Sequence, residues 1–210
     1  MKLIFLNMPQ TTPQKSFVLS GARVLSNLFN PIVSLLAYYL YFCYTHYTRK
    51  EIAAELSPLL LIVVLPIVAW ITWNVKKRRY SNMDVSDRHQ RKSLYVFVEV
   101  VLSLYWIFTY WKNGNGDRPI LFLLLLLIAL QISNYTIKSS MHTALNIFTA
   151  ALFFAITPSI GLFWLGIALL VAVSRILLKR HTPQEVGAGT LIAGVISFIY
   201  LYIHFNTPIL

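Results

Sequence analysis

The chain has 210 residues, of which 57% are hydrophobic and only 12% are charged, and this composition excludes an ordinary soluble domain. The net charge of +11 comes from basic residues that lie between long apolar runs, which argues against nucleic-acid binding and favours loops beside lipid headgroups. The single cysteine, Cys43, excludes a disulfide framework and a cysteine metal cluster.

Six apolar runs with almost no charge follow one another along the chain and predict membrane-spanning helices. A span needs about 20 such residues, because a helix rises about 1.5 Å per residue and the hydrocarbon core is about 30 Å thick. The runs lie between residues 23 and 49, 55 and 76, 93 and 111, 118 and 138, 138 and 175, and 186 and 205. The fifth is too long for one crossing and contains the turn signal 157–161. We therefore predict two short helices there and about seven spans.

These runs predict an all-α, polytopic transmembrane helical bundle that forms one integral membrane domain over residues 1–210. Alternate crossings bring the N-terminus, the loop 76–92 and the segments around 138–142 and 175–185 to one side, which we call the site face. Nearly all polar side chains suited to chemistry lie in these three segments. We expect the segments to meet.

The segment 174–185 has the pattern S-R-x5-H-x3-E. If the preceding helix ends soon after Arg175, both Arg175 and His181 can reach a phosphate at headgroup depth. An arginine fork binds two phosphate oxygens, and an imidazole oriented by a carboxylate, here Glu185, can attack phosphorus. A basic cap beside a span is the alternative, but a charge as deep as Arg175 is costly unless it is paired or functional.

The segments 138–143 and 84–92 carry weaker patterns. Ser140 can cap a helix whose first backbone N–H groups bind an anion, and His142 can protonate a leaving oxygen. A serine-rich helix start of this kind is also common without any such role. Most of 84–92 is explained as a solvated, ion-paired loop, and within it Arg91 is the candidate phosphate contact because it lies nearest to the third span.

Together the three segments resemble the motifs of the type 2 phosphatidic acid phosphatase superfamily, which read K-x6-R-P, P-S-G-H and S-R-x5-H-x3-D. Asp84 stands at the lysine position of the first motif and Lys92 at its proline position. The matching residues are Arg91 in the first motif, Ser140 and His142 in the second, and Ser174, Arg175, His181 and, with Glu for Asp, Glu185 in the third.

The resemblance implies a bundle with a six-helix family core and a phosphatase that needs neither a metal nor another cofactor and no obligatory protein partner. Its substrate would be a membrane lipid phosphate, cleaved through a phosphohistidine and stabilised by fixed donors. The roles implied are nucleophile for His181, orientation of that ring for Glu185, general acid for His142, and phosphate binding for Arg91, Arg175 and Ser140.

Asp84 departs from the family pattern, because a carboxylate repels phosphate at short range. We expect Lys138, just before the second motif, to supply the missing positive charge. We also expect Asp84 to pair with Arg88 or to orient Arg91.

Two alternatives compete with the phosphatase. An intramembrane prenyltransferase would use Asp84 and Asp87 to hold Mg²⁺ and a diphosphate, but such enzymes need a second acidic cluster, and the chain has only seven acidic residues with no second pair. A non-catalytic lipid carrier would need polar residues through the membrane, where little is found besides Glu99, Asn134 and Asn146.

The site face carries 14 of the 18 Lys and Arg residues, so the positive-inside rule predicts that it is cytoplasmic. Many bacterial members of the resembled family face outward, and a headgroup site is basic for its own reasons. We expect a multi-pass protein of the plasma membrane, which in a bacterium is the inner membrane. The sequence does not rank phosphatidic acid, phosphatidylglycerol phosphate, a polyprenyl diphosphate, or phosphorylated lipid A or inositol lipids as the substrate.

Overall fold

The computed structural model describes residues 13–207, and helices joined by short loops make up this part of the chain, without a β-strand. The predicted all-α helical bundle is confirmed. The helices are α1 (Pro13–Leu28), α2 (Pro31–His46), α3 (Arg49–Pro58), a π-helical segment (Leu59–Val64), α4 (Leu65–Lys76), α5 (Arg88–Asn113), α6 (Arg118–Ser133), α7 (Met141–Ile156), α8 (Pro158–Leu177) and α9 (Pro183–Asn206).

Most of these helices begin at a residue whose side chain accepts a hydrogen bond from the first turn. The capping residues are Asn30, Asp87, Asp117, Ser140 and Thr182. Small oxygen-bearing side chains are favoured there because the first backbone N–H groups of a helix have no partner within it. The cap fixes where α7 and α9 start, and both starts belong to the predicted motif segments.

Within the described residues, four helices are long and apolar enough to cross a membrane, namely the continuous helix Arg49–Lys76 and the helices α5, α8 and α9. The pair α1 and α2 counts as a fifth if it is taken as one span, although it is bent by 51°. The largely apolar helices α6 and α7 have 16 residues each, fewer than the roughly 20 that a full crossing needs. Several spanning helices are as expected for an integral membrane protein.

The prediction was wrong for the first apolar run and right for the fifth. The first was predicted as a single span, but it breaks between α1 and α2, where Asn30 caps a new helix and Pro31 lacks the N–H that would continue the old one. The split of the fifth run is confirmed, because α7 ends at Ile156 and α8 begins at Pro158.

Helix α7 lies at the centre of the bundle and packs against α2, α8 and α9. Its buried residues, among them Ala144, Phe148 and Thr149, lie on every side of the helix, as expected for a helix that is apolar all round. The first turn of α7, which carries the segment 138–143, is therefore held in the middle of the site face.

Candidate functional site

The three polar segments meet at one end of the bundle, as the alternation of spans predicted. Arg91, in the first turn of α5, donates from Nη1 to the Ser139 carbonyl at 3.1 Å, and its Nη2 lies 3.3 Å from Nε2 of His181. The backbone N–H of Ser140 donates to the Glu185 carbonyl at 3.0 Å. Residues from all three segments thus contact one another directly.

His181 lies in the loop between α8 and α9, with one ring nitrogen directed at each of two partners. Nδ1 is 2.9 Å from Oε2 of Glu185, and Nε2 faces Nη2 of Arg91. A guanidinium can only donate, so Nε2 is the acceptor and Nδ1 carries the proton. Burial, followed by the charges of Arg91 and Arg175, lowers the pKa of His181 to about 2. The ring is therefore neutral in the resting site, with its lone pair on Nε2.

Arg91 is almost fully buried, with 1% of its surface exposed, and its partners are all neutral. Nε donates to the Val85 carbonyl at 2.9 Å, while the two terminal nitrogens face Ser139 and His181. Among the residues that the structure describes, no carboxylate forms an ion pair with it. Because a buried charge without a counter-charge is costly, this guanidinium is suited to an anionic ligand.

The turn before α5 is strained at Val85, which has φ of 45°. This left-handed region is unfavourable for a β-branched residue, and such strain is typical of functional sites. The Val85 carbonyl accepts the hydrogen bond from Arg91, and the same turn directs the preceding side chain, Asp84, into the bundle.

Arg175 lies in the last turn of α8 and has 1% of its surface exposed. Its Nη1 donates to Oγ of Ser26 and to Oδ2 of Asp84, both at 2.9 Å. Its Nε and Nη2 are buried without a hydrogen-bond partner. Unpaired buried donors are rare, and these two lie along one edge of the guanidinium, the geometry with which an arginine can bind phosphate through two parallel hydrogen bonds.

Asp84 contacts both Arg175 and His142. Its Oδ1 is 3.3 Å from Nε2 of His142, within ion-pair distance, although this nitrogen makes no aligned hydrogen bond. Burial alone would raise the pKa of Asp84, but the contacts with His142 and Arg175 outweigh it and hold that pKa well below its usual range. The carboxylate is therefore ionised at neutral pH.

The expected pairing of Asp84 with Arg88 is wrong. Arg88 donates from Nε to the Asn134 carbonyl, and Asn134 donates from its side chain to the Arg88 carbonyl. The turn at Val85 directs Asp84 toward the bundle interior, whereas Arg88 reaches sideways to the end of α6.

Ser140 and Lys138 are both at the site, each with partners inside the protein. Oγ of Ser140 accepts from the N–H of Thr143 at 3.4 Å, which confirms the predicted cap. Lys138 lies at the rim, where Nζ donates to the Arg180 carbonyl at 3.4 Å. Its charge is near enough to contribute to the lowered pKa of His181.

Comparison with known proteins matches residues 133–208 to the PAP2 superfamily. This segment of the chain is similar to the PAP2 superfamily. The match covers the second and third motif segments, including His142, Arg175 and His181, and confirms the resemblance found in the sequence. It supports a phosphatase-type hydrolase. No curated protein and no solved structure matches the chain.

Two contacts to the arginines of the site come from residues outside that segment, and sequence reasoning missed both. Ser26, in α1, accepts from Arg175 across a separation of 149 residues. The Val85 carbonyl holds Arg91 through the strained turn. A serine in a helix and a valine in a loop have no motif of their own, so only the assembled fold reveals them.

The site does not resemble the acidic metal site of a prenyltransferase. Asp87 accepts from the backbone N–H groups of His89 and Gln90 as the cap of α5, while Asp84 faces Arg175 and His142. Within residues 13–207, no group of three or more His, Cys, Asp or Glu residues lies close enough to hold a metal ion.

Glycine at position 189 allows α9 to pack directly on the backbone of the segment 138–143. A Cβ there would lie 2.8 Å from the carbonyl oxygen of Ser140 and 3.1 Å from its nitrogen. We expect Gly189→Ala to push this backbone aside, to destabilise the protein by about 1–3 kcal/mol and to lower turnover by roughly 10-fold or more through misplaced donors.

Thermal unfolding and turnover of the purified protein test this, with Gly187→Ala as the matched control. A Cβ at Gly187, on the same helix, meets nothing within 4 Å. If the two variants had the same unfolding temperature and turnover, the close contact of Gly189 with Ser140 would not be needed for stability or activity.

Proposed function

We propose that this chain is a metal-independent phosphatase that removes a terminal phosphate from a membrane lipid through a phosphohistidine on His181. One observation carries the proposal: the lone pair of His181 faces Arg91, a buried guanidinium with no ion-pair partner among the described residues. A nucleophile beside an unneutralised cation is the arrangement that attack on an anionic phosphorus centre requires.

In the proposed reaction, phosphate oxygens bind Nη2 of Arg91 and the Nε–Nη2 edge of Arg175. Nε2 of His181 attacks phosphorus, and the bond to the lipid oxygen breaks as His142 gives that oxygen a proton. Glu185 stabilises the positive ring that results. Water, deprotonated by His142, then attacks the phosphohistidine and releases inorganic phosphate, which returns both histidines to their starting state.

Lys138 and Ser140 are also proposed as phosphate contacts, and each makes a further contribution to the site. Lys138, at the rim beside Arg180, supplies the positive charge that Asp84 does not. Ser140 holds the start of α7, so its contribution is to fix the first turn that carries His142.

A lipid substrate is supported by a cavity of about 1390 Å³ that begins at Asp84 and His142 and continues between the helices to Glu55 and Lys112. Its wall includes apolar side chains such as Leu102, Leu123 and Leu127. An apolar space that is continuous with a few polar groups suits a ligand with a hydrocarbon chain and a charged head.

We also propose that the protein resides in the plasma membrane with the site face in the cytoplasm. This rests on the 14 of 18 Lys and Arg residues that the predicted crossings assign to that face.

Phosphate release from a panel of lipid phosphates, measured with purified protein in EDTA, tests the function. We expect release that persists without divalent metal, because the donors at the site are fixed arginines. Activity that requires added Mg²⁺, or none on any lipid phosphate, would contradict the proposal.

The orientation is tested with a water-soluble short-chain phosphatidate. Inverted membrane vesicles should cleave it and right-side-out vesicles should not; the reverse result would place the site face outside.

A further inference from the structure

We propose that Asp84 is a positioning residue of the phosphate site, which orients Arg175 and His142 and does not itself bind the phosphate. The inference rests on the proposed function, and it assigns a role to the position at which the resembled family carries a lysine.

The first support is the way Asp84 contacts Arg175. Oδ2 of Asp84 and Oγ of Ser26 both accept from the same nitrogen, Nη1, at 2.9 Å. The opposite edge of the guanidinium, formed by Nε and Nη2, keeps its donors unpaired. Two acceptors on one corner fix the plane of the group and leave free the edge that binds phosphate with two hydrogen bonds.

The second support is the other oxygen of the same carboxylate. Oδ1 lies 3.3 Å from Nε2 of His142, so one side chain sets the spacing between the phosphate-binding arginine and the general acid. Glu185 contacts His181 in a similar way. In the described part of the chain, each of the two site histidines thus has its own carboxylate partner, a common means of fixing the orientation of a ring.

The third support is the rigidity of the turn that carries Asp84. Val85 adopts a left-handed conformation, and its carbonyl accepts from Nε of Arg91. Adjacent residues therefore hold the two arginines of the site, Val85 through its carbonyl and Asp84 through its side chain.

The surrounding charges favour an ionised Asp84. Arg175 of α8 and His142 of α7 contact it, and the charge of Arg91 of α5 acts on the same site. The opposing possibility is that Asp84 occupies the place of the substrate anion and excludes it. The two roles predict opposite effects when the side chain is removed.

Steady-state kinetics on a lipid phosphate distinguish the two roles. We expect Asp84→Ala to lower kcat about 10²-fold, the effect of misplacing reacting groups by about 1 Å. Asp84→Asn, which keeps an oxygen for Nη1, should recover part of that loss. Asp87→Asn, in the same loop and outside the site, should match the wild type. A rise in kcat/KM in Asp84→Ala, or no change, would overturn the proposal.

A second measurement separates this proposal from the proposed function. Inorganic phosphate should raise the thermal unfolding temperature of the wild type, and the rise in Asp84→Ala, measured against the unfolding temperature of that variant without phosphate, should be at most half as large. If no lipid phosphate is cleaved but this pattern holds, only the proposed function fails. A larger rise in Asp84→Ala, or no rise in the wild type, overturns the positioning role.

Discussion

His181→Ala should lower kcat by a factor on the order of 10⁴ to 10⁶, the range found when a nucleophile or its base is removed from an enzyme. The variant keeps the arginines but loses the only lone pair that the structure directs at Arg91 from the described histidines. The neutral state of the ring, which follows from its lowered pKa, means that this nucleophile needs no deprotonation at neutral pH.

The decisive measurement is quenching in alkaline detergent during turnover of a ³²P-labelled lipid phosphate, followed by treatment of the labelled protein with acid or alkali. Label should appear on wild-type protein, be lost in acid and withstand alkali, as expected of a phosphohistidine, and be absent from His181→Ala. His89→Ala is the matched control, since His89 is exposed on the same face. Label that remains in His181→Ala would transfer the nucleophilic role to another residue.

Arg175→Lys should lower kcat/KM by about 10² to 10³-fold, the effect of removing a fixed donor to developing charge. Lysine keeps the charge but has no Nε–Nη2 edge, and a single ammonium cannot hold Ser26 and Asp84 while also binding two phosphate oxygens. Arg175→Ala should add a loss of stability, because Asp84 would remain half-buried without its strongest partner.

The role of Arg175 is tested by measuring kcat/KM and the thermal unfolding temperature of both variants. Arg180→Lys is the control, because Arg180 is exposed on the same face and the substitution makes the same change from arginine to lysine without loss of charge. If Arg175→Lys retained the kcat/KM of the wild type, the unpaired guanidinium edge would have no part in binding phosphate.

The sequence predicted the parts of the site that depend on the order of the spans. Arg175 precedes the end of a span by a few residues and His181 follows it, so their meeting with His142 required only that the helices alternate across the membrane. The cap at Ser140 was also predicted, because capping depends on residues close in sequence.

The details that the sequence did not predict depend on conformation or on distant packing. The predicted partner of Asp84, Arg88, was wrong because the direction of the Asp84 side chain depends on the left-handed turn at Val85. No sequence pattern predicts such a turn at a valine. The contact of Ser26 with Arg175 depends on how α1 packs against α8, which local periodicity does not contain.

The short helix α6 has a consequence for the bilayer around the protein. Its 16 residues extend about 24 Å, whereas the hydrocarbon core is about 30 Å thick, and Leu121, Leu125 and Ile132 on its outer side are exposed. Lipids accommodate such a mismatch by local thinning. Helix α6 leads directly into the segment that holds Lys138, so thinning of the bilayer there should place lipid headgroups closer to the buried arginines. A lipid could then bring its phosphate to His181 while its acyl chains stay in the membrane.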